Sequence, residues 1–281
     1  MSHVPCDKWR KKLELSEFEV VIVFVSVCLI FGCWGAWYIA IATVSNFRPA
    51  PLQTSVLLTT PLVCLALLLA CLLAFAAPAV RRDPSYIALY SALGLASLGG
   101  IAQLFPFLGI STRDDVLERG NAAGCVAVAG ALPGSCFAFA GANVGDGPGV
   151  EAVLFSSILS LGLFLGIWFA FERLTHISEA ITVERDANAG IRLAGFLAGL
   201  GVLCGWSVAG NWVSTAATIY DFAHSIWLAI VLGAAATGAE RFRWGTDAAG
   251  SISASRNASI AVAALYVSSA VVWVLARGVH S

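Results

Sequence analysis

The sequence predicts an all-α integral membrane protein with about eight transmembrane helices, some of them arranged as parallel two-helix repeats. Composition and pattern lead to this fold class. Hydrophobic residues make up 59% of the chain and charged residues 12%, and the charged share is about half that of soluble domains. The apolar residues fall in long runs, and similar phrases recur in the second half of the chain.

Eight apolar runs are long enough to cross a membrane as helices, since a crossing takes about 20 apolar residues. Backbone groups in lipid must form their hydrogen bonds within the segment, which favours helices. The first run is longer than a signal-peptide core of about 7–15 residues, so we interpret it as a retained helix. The runs cover residues 20–44, 54–80, 86–107, 122–143, 150–171, 187–210, 218–239 and 258–276.

Two phrases in the second half of the chain are similar: "GNAAGCVAVAGALPG" at 120–134 and "RDANAGIRLAGFLAG" at 185–199. Each opens on a polar residue, Asn121 or Asp186, of a type that caps helices well because its side-chain oxygen accepts from a free backbone N–H. A weaker third copy, "NASIAVAALYVSSA", begins at Asn257. The three opening residues are therefore predicted to cap three helices.

Glycines follow the opening residue at helical spacing in the two full copies. Gly130 and Gly134 lie nine and thirteen residues after the first opening residue, and Gly195 and Gly199 have the same spacing in the second copy. Residues at these positions share one helix face, and a GxxxG pattern lets another helix approach closely. These four glycines are therefore predicted to lie at close helix contacts.

The repeat unit is predicted to be a pair of helices. The helix after each full copy ends alike, in "FERL" at 171–174 and in "AERF" at 239–242. Because two crossings return the chain to the same side, successive copies should run parallel. We therefore divide the chain into an N-terminal three-helix membrane region, 1–110, and a tandem helix-pair repeat region, 111–281.

Over residues 112–276 this pattern resembles the bacterial domain of unknown function 350 membrane proteins. The shared features are a polar opening residue, spaced alanines and a glycine nine residues later. Tyr266 stands in place of that glycine in the third copy and departs from the pattern. The resemblance implies tandem helix pairs in a bacterial membrane and brings no established activity. The matched positions are Asn121, Asp186 and Asn257 for the opening residue and Gly130 and Gly195 for the glycine.

Four polar residues within the runs are candidates for function, because polar and ionisable groups are costly inside a membrane. Asp221 and His224 are three residues apart and share one face of the seventh run. Arg192 and Asn188 are four residues apart in the sixth run. One interpretation is a path for a cation or proton. The other is structural, with Arg192 paired with Asp221 or Asp186.

The sequence offers no pattern for a metal centre, a cofactor or an enzyme. HExxH, GxSxG and Gly-rich phosphate loops are absent, so the corresponding zinc, hydrolase and phosphate sites are not expected. Seven of the eight cysteines lie within apolar runs, no CxxC occurs, and we interpret them as small hydrophobic residues. The net charge of −1 argues against a nucleic-acid partner.

Two function classes stay open. The first is a non-catalytic scaffold or subunit of a larger membrane assembly, whose partners are membrane lipids and other membrane or membrane-associated proteins or further copies of the chain. The second is a transporter or channel for a small cation or small polar solute that uses Asp221, His224 and Arg192.

The first apolar run follows a basic segment that bears on the orientation of the protein. By the positive-inside rule, cations next to the first helix favour a cytoplasmic N-terminus. With an even number of crossings, we expect a multi-pass protein of the bacterial inner membrane with both termini cytoplasmic. The segment contains Lys8, Arg10, Lys11 and Lys12.

Overall fold

The computed structural model describes residues 16–47, 50–147, 149–247 and 255–278, and within these ranges it contains helices and no β-strand. A 3₁₀ turn, Phe105–Leu108, and a π-helical turn, Thr112–Glu118, lie between the fourth and fifth α-helices. The α-helices are α1 (Glu17–Phe47), α2 (Pro51–Phe75), α3 (Pro78–Arg82), α4 (Pro84–Ala102), α5 (Ala122–Gly141), α6 (Val150–Thr175), α7 (Ile177–Thr182), α8 (Ala187–Trp206), α9 (Thr215–Ser225), α10 (Trp227–Asp247) and α11 (Arg256–Arg277).

In the described part of the chain, eight stretches are long and apolar enough to cross a membrane. Seven of them are α1, α2, α4, α5, α6, α8 and α11. The remaining one is Thr215–Phe242, in which α9 and α10 follow each other. Each stretch overlaps one of the eight predicted runs, so the predicted all-α membrane fold is confirmed.

Helices α5 and α8 run parallel with their backbones in contact. A methyl group added at Gly130 of α5 would overlap the backbone of Ala194 of α8. Near the ends of the same two helices, a methyl group added at Gly141 would overlap the backbone of Gly205. The contacting residues advance together along both helices, so the two helices point the same way.

Helices α8 and α11 pack in the same manner on the other side of α8. A methyl group at Gly195 would overlap the backbone of Ala263. Beyond this contact, Trp206 Nε1 donates to the carbonyl oxygen of Gly278 at 2.7 Å. Helix α8 therefore lies between two parallel neighbours, in agreement with the close contacts predicted for the glycine positions.

Helix α2 extends this parallel row on the far side of α5. Near the start of α2, Gln53 Nε2 donates to the carbonyl oxygen of Gly120 at 3.0 Å. Farther along, Cys136 Sγ donates to the carbonyl oxygen of Cys64 at 3.3 Å. The row α2–α5–α8–α11 thus joins the region 1–110 directly to the region that contains the repeated phrases.

The other spanning helices run opposite to the row and form two pairs. In the first pair, Glu19 of α1 lies beside Tyr86 of α4, and Trp34 Nε1 donates to the carbonyl oxygen of Leu95 at 2.9 Å. In the second pair, Arg241 Nε of α10 donates at 2.8 Å to a backbone carbonyl near the end of α6. We call the side at which α5, α8 and α11 begin the cap face, and the opposite side the loop face.

Side-chain caps begin the three row helices of the second half, and one predicted cap is wrong. The side chains of Asn121 and Asp186 accept backbone N–H groups at the starts of α5 and α8, as predicted. At α11 the cap is Ser255, whose Oγ accepts from the backbone N–H of Ala258 at 3.3 Å. Asn257 lies inside the first turn and is exposed, because the helix begins earlier than the alignment of letters implied.

The packing of α11 follows the register set by this earlier cap. Aligning the caps of α8 and α11 gives an offset of 69 residues, which places Ala263 at the position of Ala194. These are the two residues that Gly195 and Gly130 meet, so both contacts use the same register. In this register Tyr266 corresponds to the buried Leu197 of α8 and not to Gly195. The common register supports duplication, which stays a prediction.

We predict that the packing glycines tolerate no side chain. Leucine at Gly130 or Gly195 should lower the free energy of unfolding by about 1–3 kcal/mol, the usual scale of overpacking, and alanine should already lower it measurably. Gly162→Leu is the matched control, because Gly162 of α6 has open space around it. Thermal unfolding in detergent measures the effect, and equal melting temperatures for the Gly130 and Gly162 variants would contradict the packing.

We predict that Ser255, and not Asn257, stabilises the start of α11. Ser255→Ala should lower stability by about 1 kcal/mol through loss of the cap. Asn257→Ala should change stability by less than about 0.5 kcal/mol, as is usual for an exposed position. Denaturant unfolding of the two variants decides between the residues, and a larger loss for Asn257→Ala would restore the sequence-based assignment.

Candidate functional site

The strongest polar contact within the spanning helices joins Arg192 of α8 to Glu240 of α10. Arg192 Nε donates to Glu240 Oε1 at 2.6 Å, and a terminal guanidinium nitrogen donates to Oε2 at 2.9 Å. The other terminal nitrogen donates to Ser259 Oγ of α11 at 3.2 Å. Arg192 is 7% exposed and Glu240 5%. This bidentate pair is the geometry in which guanidinium and carboxylate bind most strongly.

The fold brings these three side chains together at the cap face. Arg192 lies in the second turn of α8, Ser259 lies in the first turn of α11, and Glu240 lies near the end of the oppositely directed α10. The corresponding positions on α5 and α11 hold Ala127 and Ala261 in the packing register, so α8 is the row helix that carries the charge. The ion pair and the hydrogen bond to Ser259 together tie α8 and α11 of the row to α10 outside it.

The predicted partners of Arg192 are wrong. Asp186 caps its own helix through its side-chain oxygen, which accepts the Asn188 N–H at 2.8 Å. Asp221 lines a cavity together with Ser207, which follows the end of α8. At about 1.5 Å per residue, α8 separates Arg192 from Ser207 by roughly 22 Å. Arg192 and Asp221 therefore lie at opposite faces of the protein and cannot pair.

The other predicted members of the intramembrane cluster are also separated. Asp221 and His224 are exposed side chains of α9. His224 Nδ1 lies 2.8 Å from the carbonyl oxygen of Tyr220, and the two rings are 3.9 Å apart. Asn188 is half-buried at the start of α8. The cluster of Asp221, His224, Arg192 and Asn188 is therefore not assembled, because the two helices bring these residues to different ends of the bundle.

The glutamates of the two "ER" phrases have different partners. Glu240 binds Arg192, whereas Glu172 at the end of α6 accepts the backbone N–H and the hydroxyl of Ser178 in α7. A short helix thus satisfies the first glutamate, and a neighbouring row helix satisfies the second. The phrase at 171–174 ends α6 as predicted, whereas α10 continues past 239–242 to Asp247, so the two glutamates differ in both position and partner.

A second polar region lies at the loop face, where the segment after α5 meets the segment after α8. Trp212 N donates to the carbonyl oxygen of Asp146 at 2.7 Å, and Gly210 N donates to that of Val144 at 3.0 Å. Asn211 Oδ1 accepts the Asp146 N–H at 2.9 Å. These bonds hold the two segments side by side.

The two segments border a cavity of about 150 Å³, which we call the loop cavity. Its walls also include the end of α2, the start of α6 and one side of α9. Its polar and aromatic lining residues are Tyr90, Asn143, Asp146, Ser156, Ser207, Asn211, Trp212, Thr218 and Asp221. Of the predicted site residues, Asp221 is the one that reaches it.

Sequence reasoning missed Glu240 and the residues of the loop cavity. A signal for Glu240 was present, since it is the acidic residue of the repeated closing phrase and lies just past the seventh predicted run. A weaker signal marked the cavity, because Gly145-Asp146 and Gly210-Asn211 repeat at the 65-residue offset of the two full copies. Both signals are visible in the sequence when the two copies are aligned past the ends of their apolar segments.

Within the described residues, seven cysteines are free thiols, and no group of three or more His, Cys, Asp or Glu residues is placed to hold a metal ion. Comparisons with protein-family models, with curated proteins and with solved structures found no match to this chain. The resemblance to the domain of unknown function 350 family therefore stays an expectation from the sequence.

We predict that breaking the buried ion pair on one side is far more harmful than breaking an exposed pair. Arg192→Ala should destabilise the protein by about 3–5 kcal/mol, because Glu240 would be left buried and uncompensated. The matched control is Arg113→Ala, since Arg113 binds Glu118 at 3.1 Å with side chains 65% and 42% exposed. Arg113→Ala should lower the free energy of unfolding by less than about 1 kcal/mol.

The double variant Arg192→Leu/Glu240→Leu gives a second readout of the same pair. The double variant should recover most of the stability that Arg192→Ala loses, because apolar residues of similar volume often replace a buried ion pair without net cost. Thermal unfolding in detergent measures all three proteins. A double variant less stable than Arg192→Ala would show that the charges stabilise the fold in some other way.

Proposed function

We propose that this chain is a non-catalytic polytopic membrane protein that serves as a scaffold or subunit of a larger membrane assembly. The observation that carries the proposal is the pairing of Arg192 with Glu240 and Ser259. An arginine that conducts or couples an ion needs access to its cargo, whereas this guanidinium is buried and engages two side chains across three helices. Together with the backbone contacts of the parallel row, this arrangement favours a rigid structural role.

The outer helices provide the surface that such a role requires. About 78% of the residues in the most apolar stretch of α8 are buried within the protein, against 17% in the corresponding stretches of α1 and α11. Large apolar side chains project from these two outer helices, among them Phe24, Phe31, Leu265 and Leu275. We propose membrane lipids and other membrane proteins or further copies of this chain as the neighbours of these surfaces.

Transport of a small cation or small polar solute ranks second. Its predicted route through Asp221, His224 and Arg192 would have to connect side chains at opposite ends of α8. The observation in its favour is the loop cavity, which Asp221 lines at one face of the protein. A cavity at one face gives a place to bind and supplies no path across the membrane.

We propose the bacterial inner membrane as the location, with both termini in the cytoplasm. Helix α1 runs opposite to the row and begins at the loop face, and α11 belongs to the row and ends there. The basic segment that precedes α1 supports a cytoplasmic loop face. Its cations are Lys8, Arg10, Lys11 and Lys12.

Reconstituted protein tests the proposal. Vesicles that contain the wild-type chain should show no sodium, potassium or proton flux above protein-free vesicles, with an added ionophore as the positive control. Native mass spectrometry from nanodiscs should detect particles larger than the 29.3 kDa monomer. A cation flux that Asp221→Asn abolishes at unchanged melting temperature would overturn the scaffold proposal in favour of transport.

A further inference from the structure

We propose that the loop cavity is a binding site for a small primary ammonium ion. The first argument is an unpartnered buried acceptor. Asn143 lines the cavity and is 7% exposed. Its Nδ2 donates to the carbonyl oxygen of Phe139 at 3.2 Å, whereas its Oδ1 is buried and accepts no hydrogen bond from the described residues. Leaving a buried acceptor unsatisfied costs about 1–3 kcal/mol, so a ligand with N–H donors fits this wall.

The charge of the lining selects a cation. The described lining residues include two carboxylates, Asp146 and Asp221, and no lysine, arginine or histidine. Both carboxylates are exposed, so they lie where an ammonium ion would enter from water. Asp146 belongs to the segment after α5 and Asp221 to helix α9, so the two carboxylates approach the cavity from different elements.

Helix termini of both polarities surround the cavity. Helices α2, α5 and α8 all end at the loop face beside it, and the carbonyl end of a helix carries partial negative charge. The starts of α6 and α9 also border the cavity and carry the opposite partial charge. The two carboxylates of the lining, and not the helix ends, therefore carry the preference for a cation.

Size and aromatic lining narrow the class of cation further. A cavity of about 150 Å³ is on the scale of one that holds a benzene molecule, so an ion of a few heavy atoms fits, such as a short alkylammonium. Trp212 and Tyr90 line it, and aromatic faces attract organic cations. A primary ammonium ion combines these contacts with the N–H donors that Asn143 Oδ1 needs.

The test is direct binding to the full chain in nanodiscs by isothermal titration calorimetry. The probe is n-propylammonium chloride, with 1-propanol as its neutral analogue, tetramethylammonium as a cation without N–H donors, and sodium chloride at matched ionic strength. We expect saturable binding of one n-propylammonium per chain and weaker binding of the other three. Equal binding of 1-propanol, or no saturable binding of n-propylammonium, would overturn the proposal.

Variants assign the binding to this cavity. Asp146→Asn and Asp221→Asn should each weaken n-propylammonium binding by about two- to fivefold, as expected for exposed charge pairs, and both exposed changes should leave the melting temperature unaltered. Asn143→Leu should weaken it by about tenfold or more through loss of the acceptor. Glu151→Gln is the matched control, because it removes a carboxylate at the same face that does not line the cavity.

An equal loss of n-propylammonium binding in Glu151→Gln and in the two aspartate variants would show that the overall charge of this face, and not the cavity, attracts the ion. That result would overturn the proposal. Unchanged binding in all three lining variants would do the same. The outcome is independent of the scaffold proposal, which fails on ion flux and particle size. Binding of n-propylammonium without ion flux would support both proposals. Ion flux would reject the scaffold proposal, and absence of n-propylammonium binding would reject the site proposal, so the two can fail independently.

Discussion

The contact of α5 with α8, backbone against backbone, is the constraint on which the rest of the molecule depends. Lipid chains are as apolar as leucine, so helices in a membrane associate through close packing and polar contacts and not through a hydrophobic driving force. Gly130 and Gly141 remove the side chains that would hold the two helices apart. With α8 fixed in this position, its second turn faces α10 and α11, and its C-terminal segment reaches the segment that follows α5.

The buried ion pair and the loop cavity are the two polar consequences of that packing, one at each end of α8. At the cap face, Arg192 is held where Glu240 and Ser259 satisfy its donors. At the loop face, the parallel helices end side by side, so the segments after them pair and leave space between the helix ends. Helix α8 thus contributes to both the buried ion pair and the loop cavity.

The sequence predicted the features that arise from local chemistry. Apolar run length located the eight spanning helices, and the capping chemistry of Asn121 and Asp186 located two helix starts. The cap predicted at Asn257 was wrong because the third copy was aligned by sequence similarity alone. The cap Ser255 and the contact of Ala263 follow a different register, which is visible only in the packed structure. The partner of Arg192 lies 48 residues away on another helix, and no periodicity within one helix carries that information. Asn143 is the last residue of the fourth predicted run, and the missing partner of its Oδ1 becomes visible only in the folded structure.

The distance along the chain between Arg192 and its partners has a consequence for biosynthesis. An arginine at the centre of an inserting helix costs about 2.5–3.5 kcal/mol on translocon-based scales. Arg192, in the second turn of α8, carries part of that cost until Glu240 is made 48 residues later. At about 5–20 residues per second, α8 waits several seconds for its counter-charge and slightly longer for Ser259. During that interval α5, which is made before α8, is the close-packed neighbour that α8 can already contact. Maturation of the central helix is therefore completed by the last two to be synthesised, and a ribosome that stops early releases a protein whose arginine has no partner.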